Sequence, residues 1–235
     1  MPPEEPVTGA RASILIERET GQVLYEHNAD ERLPIASVTK IMTLLITAQE
    51  INAGNLTFEE TAVCSDYAGS MDGSVIWLEK GEEMSVGDLI KSVVIASAND
   101  ACVMLAEHIA GSESAFVDMM NLRAQQLEMK DTHFVNCTGL DDDPEAANHL
   151  TSAYDIAIMS RELLKNHPDI KKYTTIWMDT VRGGTFGLSN TNKLVRFYPG
   201  ATGLKTGFTS AAGYCLSASA ERDGMELVAV VLGSE

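Results

Sequence analysis

Short apolar and alternating segments at both ends of the chain predict β-strands. Near the start, Ala12 to Glu17 and Val23 to Glu26 flank Gly21, a pattern that favours a hairpin with a tight turn. Near the end, turn residues separate three more such segments, which are Gly203 to Thr209, Gly213 to Ala220 and Leu227 to Leu232. These three segments predict an antiparallel meander.

The middle of the chain has helical periodicity instead. Ser37 to Ile51 contains no Gly or Pro and repeats its apolar residues at helical spacing, and Gly54 follows as the end. Further helix boundaries are indicated at Ser85, Asn99 and Gly111. Thr151 to Asn166 predicts another helix, with Thr151 as its N-cap and His167-Pro168 as its end.

Strands at both ends with helices between them predict an α+β fold. The sheet is expected to be antiparallel and built from both termini, with an inserted, mainly helical lobe. The 235 residues, 45% of them hydrophobic, are enough for one large domain. We therefore expect a single catalytic domain, with a sheet part at about 10–35 and 175–235 and a helical lobe at about 55–165.

Charge and special residues narrow the possible partners. The net charge of −17, from 34 acidic and 17 basic residues, makes nucleic acid an implausible ligand. No apolar run reaches the ~18 residues that span a bilayer, and the first residues lack the features of a secretory signal. Cysteines and histidines are scattered without metal-ligand spacing: Cys64, Cys102, Cys137, Cys215, His27, His108, His133, His149 and His167. Free buried thiols, no metal and no other cofactor are expected.

Three short motifs occur in order, each once. They are Ser37-Val38-Thr39-Lys40, Ser97-Ala98-Asn99 and Lys205-Thr206-Gly207. Taken singly, each has an ordinary explanation: a helix start, a helix cap and a surface strand with a glycine. Their joint occurrence is the evidence for a catalytic site.

The first motif suits nucleophilic catalysis by a serine. Positions 37 and 40 share one face of a helix, which places the lysine amine beside the serine hydroxyl. An amine removes the hydroxyl proton only when it is neutral, a state that burial or a second cation such as Lys205 favours. A helix N-terminus also supplies N–H groups where an oxyanion would form.

The trio is the signature of penicillin-binding proteins and class A β-lactamases. Three motif segments extend the likeness beyond the trio itself: Ala36 to Thr43, Ala96 to Ala101 and Gly203 to Thr209, together with Thr132 to Asn136. From about residue 10 to its end the chain resembles the low-molecular-mass penicillin-binding proteins that act as D-alanyl-D-alanine carboxypeptidases. The resemblance implies a β-lactamase/transpeptidase-like fold, peptidoglycan stem peptides as substrates, β-lactams as covalent inhibitors, and action at the outer face of the cytoplasmic membrane.

The resemblance also implies roles for the motif residues. Ser37 would be acylated, Lys40 would be its general base, and Ser97 would return the proton to the departing D-alanine. The other residues would bind the substrate: Asn99 its amide, Lys205 with Thr206 or Thr209 its terminal carboxylate, and the backbone N–H groups of Ser37 and Phe208 its oxyanion. Gly207 would leave the strand flat for the substrate.

The chain departs from the family pattern in two places. Ala98 stands where the family often has glycine, a change that leaves its neighbours' roles intact. Family members usually continue beyond the last strand into a helix, a β-rich domain and a membrane-binding helix, and they use an arginine from that region. We therefore expect a shortened domain that self-associates through the apolar strand Leu227 to Leu232, and membrane association only through segments absent from this chain.

Two alternative functions remain open at this point. A serine β-lactamase would need a carboxylate that activates water, and class A enzymes carry it in Glu-x-x-Leu-Asn. The nearest match, Glu145 to Asn148, is one residue short and lies in what we interpret as a polar loop, 141–148. The second alternative is a non-catalytic domain that binds muropeptides and is merely acylated by penicillin.

Overall fold

A computed structural model describes residues 8–235. Nine strands are present among them: β1 Ala12–Glu17, β2 Val23–His27, β3 Thr61–Val63, β4 Glu83–Ser85, β5 Met178–Val181, β6 Phe186–Ser189, β7 Ala201–Thr209, β8 Gly213–Arg222 and β9 Met225–Ser234. Eight α-helices lie in the same part of the chain: α1 Lys40–Asn52, α2 Asp66–Gly69, α3 Val86–Ile95, α4 Asn99–Ala110, α5 Glu113–Gln126, α6 Ala153–Asn166, α7 Lys171–Thr174 and α8 Leu194–Phe197.

The main sheet has five antiparallel strands in the order β2-β1-β9-β8-β7. The first two come from the start of the chain and the other three from its end, so the prediction of one sheet built from both termini is confirmed. Alternation along the strands turns every second apolar side chain towards the helices. The order leaves β7, which carries the Lys205 motif, as an edge strand.

Local capping chemistry sets the helix boundaries. The Ser85 hydroxyl accepts from the Asp88 N–H, as predicted for the start of α3, and Gly111 ends α4 in the left-handed region at φ +82°. The predicted cap of α6 is wrong by one residue. Ser152 accepts from the Asp155 N–H, while Thr151 is in a β-bridge.

Helices cover one face of the main sheet. α6 packs against β1 and β9, and α1 packs against α4 and α6. α1 is buried over most of its length, because it passes through the middle of the helical part of the molecule. Two small two-stranded sheets, β3–β4 and β5–β6, border this region. β5 and β6 lie within the predicted sheet part, 175–235, but form a sheet of their own, and β3–β4 was not predicted.

The other face of the main sheet is less covered. In β9, Val228 and Val230 are fully buried, whereas the alternate residues Leu227, Ala229 and Val231 are half-buried. Self-association through this strand stays a prediction.

None of the helices in residues 8–235 is long and apolar enough to cross a bilayer. All four cysteines are buried, as the sequence predicted, and none is in a disulfide in this structure.

Candidate active site

Ser37 lies in a single 3₁₀ turn, Ala36–Thr39, that leads directly into α1. The sequence predicted a helix from Ser37 onward, and the α-helix begins three residues later at Lys40. Ser37 is half-buried, whereas Val38, Thr39 and Lys40 are fully buried. The turn therefore presents the serine hydroxyl at a surface and holds the lysine amine beneath it.

The Lys40 amine has three polar neighbours at hydrogen-bond distance. Its nitrogen lies 2.8 Å from Ser37 Oγ, 2.7 Å from Asn99 Oδ1 and 2.8 Å from the Thr138 carbonyl oxygen. The amide and carbonyl oxygens can only accept, whereas the serine hydroxyl can also donate. A neutral amine, with two N–H groups and one lone pair, satisfies all three by donating twice and accepting from Ser37.

The electrostatic environment shifts the amine towards that neutral state. Burial lowers the pKa of Lys40 to about 8. Burial, and then the charge of Lys40, lower the pKa of Lys205 well below its usual range. Within residues 8–235 the two amines bond to hydroxyl, amide and carbonyl oxygens and to no carboxylate. Burial is thus the main cause of the lowered pKa of Lys40. The repulsion between the two lysines, which the sequence predicted, lowers the pKa of Lys205 instead.

The second motif, Ser97-Ala98-Asn99, lies beside the two buried amines. Ser97 has a left-handed backbone, φ +61°, an uncommon conformation for a residue other than glycine that often marks functional sites. Its hydroxyl accepts a hydrogen bond from Lys205 Nζ at 2.9 Å. Asn99 opens α4, and its Nδ2 donates to the Asp72 carbonyl at 2.7 Å while its Oδ1 accepts from Lys40. Asn99 therefore positions Lys40, and one amide hydrogen remains for a substrate.

The edge strand β7 lies directly against the nucleophile turn. A Cβ at Gly207 would lie 2.7 Å from the Ile35 carbonyl oxygen and 3.0 Å from the backbone nitrogens of Ser37 and Val38. Real Cβ atoms do not approach backbone so closely. Glycine at 207 is therefore required by this close approach, a different reason from the flat surface expected from the sequence.

The remaining β7 residues differ in accessibility. Thr206 Oγ1 lies 2.6 Å from Thr191 Oγ1. Phe208 is 57% exposed and packs against the Tyr214 ring, with centroids 4.6 Å apart. Thr209 Oγ1 accepts from the Ala212 N–H at 3.1 Å and so stabilises the turn after β7. Of the two threonines proposed for the substrate carboxylate, Thr206 is the one whose hydroxyl lies in the cleft.

The three motifs meet in one cleft of about 680 Å³, a size typical of small-molecule and peptide sites. Its hydroxyl-bearing lining residues are Ser37, Ser74, Ser97, Thr191, Thr206, Tyr214 and Ser234. Lys40 and Asn99 lie beneath this surface, and Gly207 and Phe208 form part of its wall. All the residues predicted from the motifs therefore converge here, except that the Thr209 hydroxyl is engaged elsewhere.

Several supporting residues were missed. The buried Asp100 carboxylate accepts from the backbone N–H groups of Ile76, Leu78 and Ala101, at 2.9–3.1 Å, and so fixes the 76–78 segment, which begins two residues after Ser74. Its position immediately after Asn99 was the available signal. The Thr138 carbonyl could not be predicted from residue type, because the atom that accepts from Lys40 belongs to the backbone.

His149 supports the turn from behind. Its Nδ1 accepts from the Val135 N–H at 3.1 Å, so its Nε2 carries the proton and donates to Thr39 Oγ1 at 2.8 Å. Thr39 Oγ1 in turn donates to the Ala36 carbonyl at 2.8 Å. Burial lowers the pKa of His149 to about 4, which keeps the ring neutral.

Comparison with known proteins gives consistent matches. The model of a peptidase family described as D-alanyl-D-alanine carboxypeptidase matches residues 1–235. The chain is 48% identical over 228 residues to the D-alanyl-D-alanine carboxypeptidase DacF of Bacillus subtilis, covering 96% of this chain and 57% of that protein. It is 36% identical to DacC of Escherichia coli, covering 99% of this chain and 58% of that protein. The chain thus spans less than two thirds of the length of these relatives.

Solved structures agree with the fold prediction. The D-alanyl-D-alanine carboxypeptidase DacD from Francisella tularensis superposes with a TM-score of 0.91 at 31% identity, over 100% of this chain and 68% of that one. Penicillin-binding protein D2 from Listeria monocytogenes, solved in its ampicillin-bound form, superposes with a TM-score of 0.87 at 32% identity, over 98% of this chain and 91% of that one. The predicted penicillin-binding protein fold is confirmed.

Proposed function

The chain belongs to the D-alanyl-D-alanine carboxypeptidase family, and from that premise we propose that it removes the terminal D-alanine from peptidoglycan stem peptides through an acyl-enzyme on Ser37. The observation that carries the proposal is the Lys40 amine, buried, without a carboxylate partner in the part of the chain described, and 2.8 Å from the Ser37 hydroxyl oxygen. An amine in this setting can be neutral near physiological pH and can accept the serine proton.

In the proposed acylation step, Ser37 Oγ attacks the carbonyl carbon of the penultimate D-alanine. Lys40 takes the hydroxyl proton, and the C–N bond to the terminal D-alanine breaks after the tetrahedral intermediate forms. The departing nitrogen needs a proton. Ser97 Oγ, which accepts a hydrogen bond from Lys205 at 2.9 Å, would relay it: the Ser97 hydroxyl would give its proton to the nitrogen and recover the one that Lys40 took, so that both residues end the step as they began.

Two features of β7 support the proposed binding of the substrate. Because β7 is an edge strand beside Ser37, an extended peptide can add to it by backbone hydrogen bonds. The close approach at Gly207 brings the Phe208 backbone next to the Ser37 turn, where the two N–H groups would bind the oxyanion. One such donor is typically worth about 10²–10³ in rate. Thr206 would bind the terminal carboxylate, and the negative charge of that carboxylate would favour the protonated form of Lys205 beside it.

The cleft favours a carboxypeptidase over a β-lactamase. No carboxylate lines the cleft in residues 8–235. Glu145, the nearest sequence match to the class A carboxylate, is exposed on the 3₁₀ turn Pro144–Asn148 and lines a different pocket. A penicillin acyl-enzyme should therefore be long-lived, because no carboxylate is placed to activate its hydrolytic water.

Intact mass spectrometry after incubation with ampicillin tests the proposal. We expect one persistent covalent adduct that maps to Ser37, by analogy with the ampicillin-bound form of the Listeria protein, and no adduct in Ser37→Ala. Rapid release of hydrolysed ampicillin would instead assign a β-lactamase. An adduct without D-alanine release from a pentapeptide would assign the non-catalytic binding domain. We further propose that the protein acts on the cell envelope, outside the cytoplasmic membrane, where its substrate lies.

A further inference from the structure

Two of the four cysteines are in contact beneath the active site. Cys102 Sγ and Cys137 Sγ lie 3.8 Å apart, and both side chains are fully buried. Cys64 and Cys215 are buried elsewhere, with backbone carbonyls as their sulfur neighbours. The Cys102–Cys137 pair is therefore a distinct feature of the molecule, and catalysis as proposed above does not use it.

This pair joins the two segments that hold the Lys40 amine. Cys102 follows Asn99 by three residues and so shares its face of α4, and Cys137 immediately precedes Thr138. Asn99 Oδ1 and the Thr138 carbonyl are the two acceptors of Lys40. The Cys137 carbonyl is itself fixed by the Thr43 hydroxyl at 2.8 Å. A bond between the two sulfurs would tie both acceptors of Lys40 to each other.

We propose that Cys102 and Cys137 form a disulfide when the chain folds in an oxidising compartment. This disulfide would link the two segments that hold the Lys40 amine. The idea rests on the proposed location outside the cytoplasmic membrane, where disulfides form and persist. Closing the gap from 3.8 Å to a bond of about 2.05 Å requires the sulfurs to approach by roughly 1.8 Å. The approach would use rotation of both side chains and would break the hydrogen bond from Cys102 Sγ to the Cys137 carbonyl, 3.1 Å.

The chemistry is thiol–disulfide exchange with an external disulfide of low molecular mass. One cysteine thiolate attacks a sulfur of the oxidant and releases one reduced thiol, giving a mixed disulfide. The second cysteine thiolate then attacks the first cysteine sulfur and releases the other reduced thiol. Two protons and two electrons leave the protein, and one oxidant disulfide becomes two thiols. Burial makes exchange slow in the folded state, so the bond forms during folding.

Refolding in glutathione buffers, followed by alkylation in denaturant and mass spectrometry, tests the assignment. We expect the oxidised protein to take two alkyl groups where the reduced protein takes four, and a proteolytic digest to contain a peptide pair linked through Cys102 and Cys137. Four alkyl groups under all conditions, or a link through Cys64 or Cys215, would overturn the proposal. These readouts need no enzymatic activity, so they succeed or fail independently of the proposed reaction.

Thermal stability and the rate of acylation measure the effect of the disulfide on the protein. The bond closes a loop of about 35 residues, which is expected to raise Tm by about 5–15 °C in a domain of this size. The oxidised and reduced forms should acylate with ampicillin at rates within about twofold. The double change Cys102→Ser with Cys137→Ser should abolish the redox dependence of Tm, while Cys64→Ser, the matched control, should keep it. Equal Tm in both states, or a tenfold loss of acylation on oxidation, would contradict a disulfide that stabilises the protein and leaves its active site intact.

Discussion

The Lys40 amine nitrogen lies 2.8 Å from the Ser37 hydroxyl oxygen, and burial holds the pKa of that amine at about 8. Below this pKa the amine is charged and cannot take the serine proton. Above it the amine is neutral and can. The pairing of a half-exposed serine with a buried lysine therefore makes the nucleophile pH-dependent.

The first prediction is that acylation by ampicillin accelerates as pH rises and levels off above about 8. Lys40→Arg should lower the rate by about 10³-fold or more and remove the inflection, because a guanidinium stays charged at these pH values. Stopped-flow measurement between pH 6 and 9.5 checks both, with the exposed Lys80→Arg as control. A rate independent of pH in the wild-type protein would exclude this assignment of the base.

The second prediction concerns the approach of β7 to the nucleophile turn. Gly207→Ala places a Cβ 2.7–3.0 Å from three backbone atoms, which cannot move as a flexible side chain can. Displacing the strand by a few tenths of an ångström misaligns the oxyanion donors and should reduce acylation by about 100-fold. Gly187→Ala in β6, where nothing lies within 4 Å of the new Cβ, is the matched control. Equal acylation rates in both variants would show that the contact at Gly207 is unimportant.

The third prediction concerns the buried Asp100 carboxylate. Asp100→Asn replaces one acceptor oxygen by an NH₂ group facing backbone N–H donors of the 76–78 segment, which should cost about 2–3 kcal/mol of unfolding free energy. Because the 76–78 segment closely follows Ser74, whose carbonyl accepts from the Asn99 N–H, a shift of this segment should also displace Asn99 and raise KM for a pentapeptide. Urea titration and steady-state kinetics measure the two effects. Exposed Asp118→Asn serves as the control, and the idea fails if the two variants behave alike.

The fourth prediction is acid destabilisation through His149. Its folded pKa is about 4 against 6.5 for an ordinary histidine, so between these values the unfolded chain binds a proton that the folded chain does not. Protonation then favours unfolding, and up to about 3 kcal/mol of stability is lost as pH falls from 6.5 to 4. His149→Gln should flatten this part of the stability curve, measured by urea titration at several pH values. Exposed His27→Gln should leave the curve unchanged, and an unchanged curve in His149→Gln would refute the assignment.

Much of the fold could be predicted because its signals are local. The opening hairpin, the cap at Ser85 and the terminal meander each depend on residues adjacent in sequence, and each is found where predicted. Thr151 and Ser152 are both good caps, and the Leu33 bridge to Thr151 decides between them. That bridge joins residues far apart in sequence, so no local pattern could indicate it.

The active site likewise has a part that the sequence predicts and a part that it does not. The three motifs predicted that Ser37 and Ser97 share one cleft and that the Lys40 and Lys205 amines lie beside them, because residue type and order suffice for that inference. The Thr138 carbonyl escaped prediction because a backbone acceptor has no residue-type signature. The roles of these residues in turnover stay predictions until the reaction is measured.

The most direct test of the account is D-alanine release from a D-alanyl-D-alanine pentapeptide by the wild-type protein and by Ser37→Ala. We expect steady release of one D-alanine per peptide by the wild-type protein, and at least a 10³-fold lower rate in the variant. Circular dichroism should show that the variant stays folded. Comparable release by both proteins would contradict the assignment of Ser37 as the nucleophile, and with it the proposed mechanism.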